Sequence, residues 1–116
     1  MRIERELMRG AGPLAVLKVL ERGEMYGYEL AQALDTRTHG VLALGQSTLY
    51  PMLYNLEAKG LIKGSWRTAS ERDGGRDRKY YALTAKGKTR LAKDQHQWAA
   101  VTTALASLGV RAEATA

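Results

Sequence analysis

Cysteine is missing from these 116 residues. The chain therefore carries no disulfide, no thiolate zinc site and no cysteine nucleophile. Histidine is nearly missing: His39 falls in a connector and His96 in the last helical stretch, so the pair makes a weak metal site at best. No nucleophile, base and orienting group can be assembled from the remainder, and catalysis, metal and cofactor are all expected to be absent. Long apolar runs are missing too. None approaches the roughly 18 residues of a membrane span. The opening Met1-Arg2-Ile3-Glu4-Arg5-Glu6 alternates charges and lacks the apolar centre of a signal peptide.

Positive charge is what the chain has in excess. A formal net charge of +6 and a pI near 9.8 in so short a chain point to a polyanionic partner, nucleic acid being the commonest. Simple solubility accounts for the same numbers, and charge alone leaves both readings open.

The order of elements is more informative. Gly12-Pro13 reads as a helix start, with Leu14, Leu17, Val19 and Leu20 as its apolar stripe and Gly23 as its stop. The preceding Ile3 to Arg9 fits a short helix or an arm. A second helix reads from Tyr26 to Arg37, with Gly27, Leu30, Ala31 and Leu34 inward and Tyr28 outward. After a connector, Ser47 reads as the N-cap of a third helix that runs to Lys59 and stops at Gly60. The period then shifts. Leu61 to Arg67 and Arg78 to Leu83 alternate like strands, joined by a polar loop containing Gly74-Gly75. Thr84 can cap a last helix to Leu108, along which Leu91, Asp94, Trp98, Val101, Leu105 and Leu108 repeat at spacings of three and four. The fold class is thus mainly α with a small β-hairpin: a winged helix-turn-helix over 1–84, then a C-terminal dimerisation helix and short tail over 85–116.

The third helix holds the functional signal. On a helical wheel Leu49, Met52, Leu53 and Leu56 cluster inward, leaving Gln46, Ser47, Thr48, Tyr50, Pro51, Tyr54 and Asn55 outward or on the flanks. Recognition helices touch DNA mainly through their N-terminal turns, where hydroxyls meet phosphates or base edges and aromatic or proline edges meet thymine methyls. The same tyrosines also fit half-buried packing. Beside them the hairpin carries Lys63, Arg67, Arg72, Arg76, Arg78 and Lys79 against Glu71, Asp73 and Asp77. A basic wing of this kind suits a phosphate or a narrow minor groove.

Met25-Tyr26-Gly27-Tyr28-Glu29-Leu30, Ser47-Thr48-Leu49-Tyr50-Pro51-Met52-Leu53, Leu56-Glu57-Ala58-Lys59-Gly60-Leu61-Ile62 and Arg78-Lys79-Tyr80-Tyr81-Ala82-Leu83-Thr84 together resemble the PadR-type transcriptional regulators. The resemblance implies a cytoplasmic, homodimeric winged-helix protein that binds double-stranded DNA at an inverted-repeat operator, usually as a repressor. It implies that Ser47, Thr48, Tyr50 and Pro51 open the recognition helix and that Arg78 and Lys79 lie on the wing. The single C-terminal helix resembles the smaller subfamily, some of whose members bind planar aromatic compounds between subunits. That carries a ligand expectation onto Trp98, with Asp94 and Val101 beside it. Plain dimer packing explains Trp98 equally, through a seam of Leu91, Trp98, Val101, Leu105 and Leu108. A winged-helix adaptor that binds protein instead of DNA is the alternative function; the basic wing speaks against it.

Overall fold

The computed structural model describes residues 3–68 and 77–112. Four helices, α1 (Arg5–Leu20), α2 (Gly27–Arg37), α3 (Gln46–Ala58) and α4 (Ala85–Ser107), surround three strands, β1 (Met25–Tyr26), β2 (Ile62–Arg67) and β3 (Arg78–Leu83). The strands form one antiparallel sheet in the order β1-β3-β2. The expected hairpin therefore gains a third strand, which takes Tyr26 from the expected start of α2 together with Met25 before it. Two residues are too short to display a period of two, and only pairing with Tyr80 and Tyr81 makes Met25 and Tyr26 a strand.

Pro13 does not start a helix. It lies inside α1, which continues back to Arg5 with Glu4 as its N-cap. Proline here removes one bond, to the carbonyl of Arg9, an exposed residue whose carbonyl can turn to water. Meanwhile Val16, Leu17, Val19 and Leu20 anchor the helix in the core. The glycine before it serves packing, since a Cβ on Gly12 would come 2.6 Å from the Met52 side chain of α3.

One core joins all the layers. Leu30 and Leu34 of α2, Leu49, Leu53 and Leu56 of α3, and Ile62 and Tyr81 of the sheet pack on the α1 stripe. The end of α3 follows the expected glycine stop: Gly60 takes φ +75°, its N–H donates to the Glu57 carbonyl and the Leu61 N–H donates to that of Leu56. These are the two bonds of a Schellman turn, with Leu56 and Leu61 both buried beside it. The α4 cap is also as expected, the Gly87 N–H donating to Thr84 Oγ1 at 2.9 Å. Thr84 Oγ1 itself donates to the Gly60 carbonyl at 2.6 Å, which ties the start of α4 to the end of α3.

α4 is roughly 34 Å long at 1.5 Å per residue, and only its first part enters the core. Leu91 is 2% exposed there, so its burial is complete within one chain and it is not available to the intermolecular seam expected of it. Farther along, Trp98, Val101, Leu105 and Leu108 stand 47%, 53%, 42% and 81% exposed. Among the described residues no helix is long and apolar enough to cross a membrane.

Candidate nucleic-acid interface

α3 begins two residues earlier than its sequence suggests. Its N-cap is Gly45, whose carbonyl accepts from the Thr48 and Leu49 N–H groups at 3.0 and 2.9 Å. Ser47 is therefore not the cap. It sits in the first turn with its side chain exposed. No side chain caps this helix and no acidic residue occupies its first turn. The first turn thus carries no counter-charge of its own for the positive end of the helix dipole, an arrangement that favours anions. Pro51 now falls in the second turn, where it deprives the Ser47 carbonyl of its usual helical donor.

Gln46, Ser47, Thr48, Pro51, Tyr54 and Asn55 are all exposed, Tyr54 by 59%. They share one outward surface, as the wheel predicts. Tyr50 departs from it. Its ring is half-buried, and a Cβ on Gly27 would lie 2.6 Å from its hydroxyl oxygen. The missing side chain at the start of α2 makes the slot in which Tyr50 packs, so this tyrosine locks α3 to α2. Tyr28 stands 61% exposed at the start of α2, its hydroxyl accepting from Gln32 Nε2 at 3.1 Å.

The register divides the wing into two faces. Ile62, Gly64 and Trp66 share one with Leu83, Tyr81 and Lys79; Lys63, Ser65 and Arg67 share the other with Ala82, Tyr80 and Arg78. On the second face Arg67 and Arg78 are cross-strand neighbours, a pairing that like charges alone would disfavour. Each is offset by an aromatic ring: Arg67 lies 4.3 Å from the Tyr80 centroid and Arg78 4.5 Å from that of Tyr26. Arg67 also pairs with Glu24. Tyr26 and Tyr80 meet edge to face at 5.6 Å. Sequence reading missed the roles of Tyr26, Tyr80 and Glu24. Alternation along the strands marks the face but cannot reveal which arginine stacks on which ring.

On the first face Lys79 turns inward. Its Nζ lies 2.9 Å from Glu57 Oε1 at the end of α3, and 5.7 and 5.4 Å from the rings of Tyr54 and Tyr81. The hydrogen bond to Glu57 holds the Lys79 ammonium above its ordinary pKa, and the same bond holds the Glu57 carboxyl below its own. Lys79 is therefore not a free cation on the wing. Trp66, 70% exposed on this face and opposite Lys79, was not singled out by sequence. Arg72 and Arg76 lie outside the described residues.

Residues 16–93 match the Transcriptional regulator PadR-like family. The chain belongs to that family. It is 34% identical over 91 residues to the transcriptional regulator Rv3488 of Mycobacterium tuberculosis, covering 78% of each chain. It is 32% identical to the uncharacterized protein X of Lysinibacillus sphaericus, covering 85% of this chain and 88% of that one. A crystal structure of a PadR family transcriptional regulator from Eggerthella lenta is 33% identical and superposes with a TM-score of 0.75, covering 89% of this chain and 85% of that one. Regulators of this family are not enzymes. Among the described residues there is no group of three or more side chains able to hold a metal. The architecture of the regulator is the winged helix-turn-helix expected from its element order.

The ligand and dimer expectations fall at the other end of the molecule. Trp98, Val101 and Asp94 line an open groove of about 390 Å³ between α1 and α4, together with Pro13, Leu14 and Arg90. The Arg90 Nε donates to both oxygens of Asp94, at 3.0 and 3.2 Å. The Asp94 charge is thus paired within its own helix.

Proposed function

We propose that this regulator binds an inverted-repeat operator in double-stranded DNA as a cytoplasmic homodimer and acts as a repressor. The observation that carries this reading is the start of α3: an uncapped helix end with a row of exposed Gln46, Ser47, Thr48, Pro51, Tyr54 and Asn55 beside a basic wing. The helix N–H groups and Ser47 suit a phosphate, while Thr48, Tyr54 and Asn55 suit base edges in the major groove. Tyr28 at the α2 start and Arg78 on the wing would add backbone contacts. Arg72 and Arg76 belong to the same reading on sequence grounds. Residues 1–84 form the reading unit and 85–116 the joining unit of this proposal.

Selection of bound duplexes from a random library, followed by anisotropy titration, tests it. The expected product is a palindromic site whose half-sites are about one helical turn, ~34 Å, apart or somewhat more. Thr48→Ala is expected to relax the preference at one position by about 1–3 kcal/mol. Arg76→Ala is expected instead to weaken all duplexes together and flatten the dependence on log salt by about one unit. Recovery of no enriched site, with binding insensitive to salt, would leave the protein-adaptor function in its place.

An effector is the finer part of the proposal. In a two-fold dimer a residue on the axis faces its own copy, so with Trp98 at the axis two indoles would bracket a slot for a planar aromatic molecule. Its occupation would alter the separation of the reading heads and thereby weaken operator binding. Titration with planar dyes should quench Trp98 fluorescence in a Trp66→Phe background. Binding followed by the dye's own anisotropy should be lost in Trp98→Ala; its survival there would place the ligand elsewhere.

A further inference from the structure

An acidic residue in the last turns of a helix opposes the helix dipole, so Glu57 needs compensation from outside α3. It receives two bonds, one from each long strand. Lys79 Nζ of β3 donates to Oε1 at 2.9 Å, and the Gly64 N–H of β2 donates to Oε2 at 3.1 Å. The second bond depends on what Gly64 lacks. A Cβ there would fall 2.2 Å from the Lys79 Cε and 2.9 Å from Glu57 Oε2, so the lysine stem and the carboxylate occupy the space of a side chain. The Tyr54 and Tyr81 rings flank the ammonium, and the side chains of Lys79 and Glu57 are only 20% and 32% exposed. Tyr54 belongs to the outward surface of α3, so this cluster lies directly behind it.

We propose that Glu57, Lys79 and Gly64 are positioning residues: the three form a lock that fixes the wing relative to the recognition helix, and Lys79 spends its charge on Glu57 and not on a phosphate. The proposal rests on the DNA-binding reading and deepens it. A basic wing residue that never reaches the duplex contributes to discrimination between sequences, because it sets where the other contacts fall, and contributes nothing to the electrostatic term. Opening the lock from the acidic side does the reverse, since it releases a cation beside the reading face.

Salt dependence separates these roles, with a mixed-sequence duplex and a selected site measured in parallel. For Lys79→Met the log–log salt slope on mixed-sequence duplex should stay that of the parent, while affinity for the selected site falls about tenfold. For Glu57→Gln the slope should steepen by about one unit and mixed-sequence binding should tighten several-fold at low salt. A slope flattened by about one unit in Lys79→Met, with Glu57→Gln unchanged, would make Lys79 a phosphate contact and overturn the lock. Equal losses on both duplexes in both variants would also overturn it, as a purely structural role predicts. The lock itself is read without DNA from the Gly64 amide proton. Its resonance should shift as Glu57 protonates in an acid titration, and the shift should be lost in Glu57→Gln. A parent protein that binds no duplex but shows this shift would refute the DNA reading alone; a Gly64 amide indifferent to Glu57 would refute the lock.

Discussion

Gly87→Ala is expected to lower the melting temperature by about 10 °C or more, in a position where the same change ordinarily helps. Replacing an interior helical glycine by alanine normally stabilises by about 0.5–1 kcal/mol, through backbone entropy. Gly87 occupies the first turn of α4 and is buried. A Cβ built there falls 1.9 Å from the carbonyl oxygen of Leu61 and 3.1 Å from the Leu83 side chain. The first of these is backbone and cannot swing aside. That oxygen also accepts the Thr84 N–H at 3.2 Å, so pushing it away strains the junction between the wing and α4. Overpacking of a core costs about 1–3 kcal/mol even where side chains can adjust. A backbone obstacle belongs at the upper end, and near 4 °C per kcal/mol for a chain of this size gives the expected shift. Thermal unfolding followed by circular dichroism measures it. An unchanged or higher melting temperature would mean that α4 does not approach Leu61 as closely as the structure places it.

Features decided by neighbours in the chain were legible in the sequence. Gly60 as the α3 stop, Thr84 as the α4 cap and the limits of β3 all rest on local backbone chemistry, and the structure has them where the residues predict. Features decided across the fold were not. Pro13 signals a helix start locally, yet the buried stripe that follows it holds α1 together through the missing bond. Tyr50 falls on the flank of the α3 wheel, and a flank residue's fate depends on what the adjacent helix offers. Here Gly27 offers a slot. Gly27 was the available signal, since a glycine in the first turn of a helix is worth asking about for what passes over it. Lys79 and Glu57 are 22 residues apart, on elements whose relative placement no periodicity reports. Leu91 matches the seam spacing of α4 but is claimed by the core, because the start of that helix is already packed. The outward surface of α3, read from period alone, was largely right: Ser47, Thr48, Pro51, Tyr54 and Asn55 are where the wheel puts them.

Leu105→Asp is expected to convert the proposed dimer to monomer without unfolding the chain. Trp98, Val101, Leu105 and Leu108 follow one another at spacings of three, four and three residues, which places them along one side of α4. All four are exposed, Leu108 by 81%, beyond the part of the helix that Leu91 anchors. A continuous apolar stripe of this kind on a projecting helix is what a soluble protein covers with a partner, and the spacing is that of a helix-to-helix seam. In a symmetric dimer the substitution enters twice, and each carboxylate is buried against apolar side chains with nothing to pair it. The cost per unpaired charge is several kcal/mol, so the dissociation constant should rise at least about a hundredfold. The fold of the single chain should survive, because Leu105 is 42% exposed within it and supports no part of the core. Thr103→Asp supplies the comparison. It adds the same charge to the same helix two residues away, about 200° around the axis, and should leave the dimer intact. Sedimentation velocity at micromolar concentration reads both, with circular dichroism to establish that helix content is retained. A Leu105→Asp protein that sediments as the parent does would move the interface off this stripe, and the Trp98 slot would go with it.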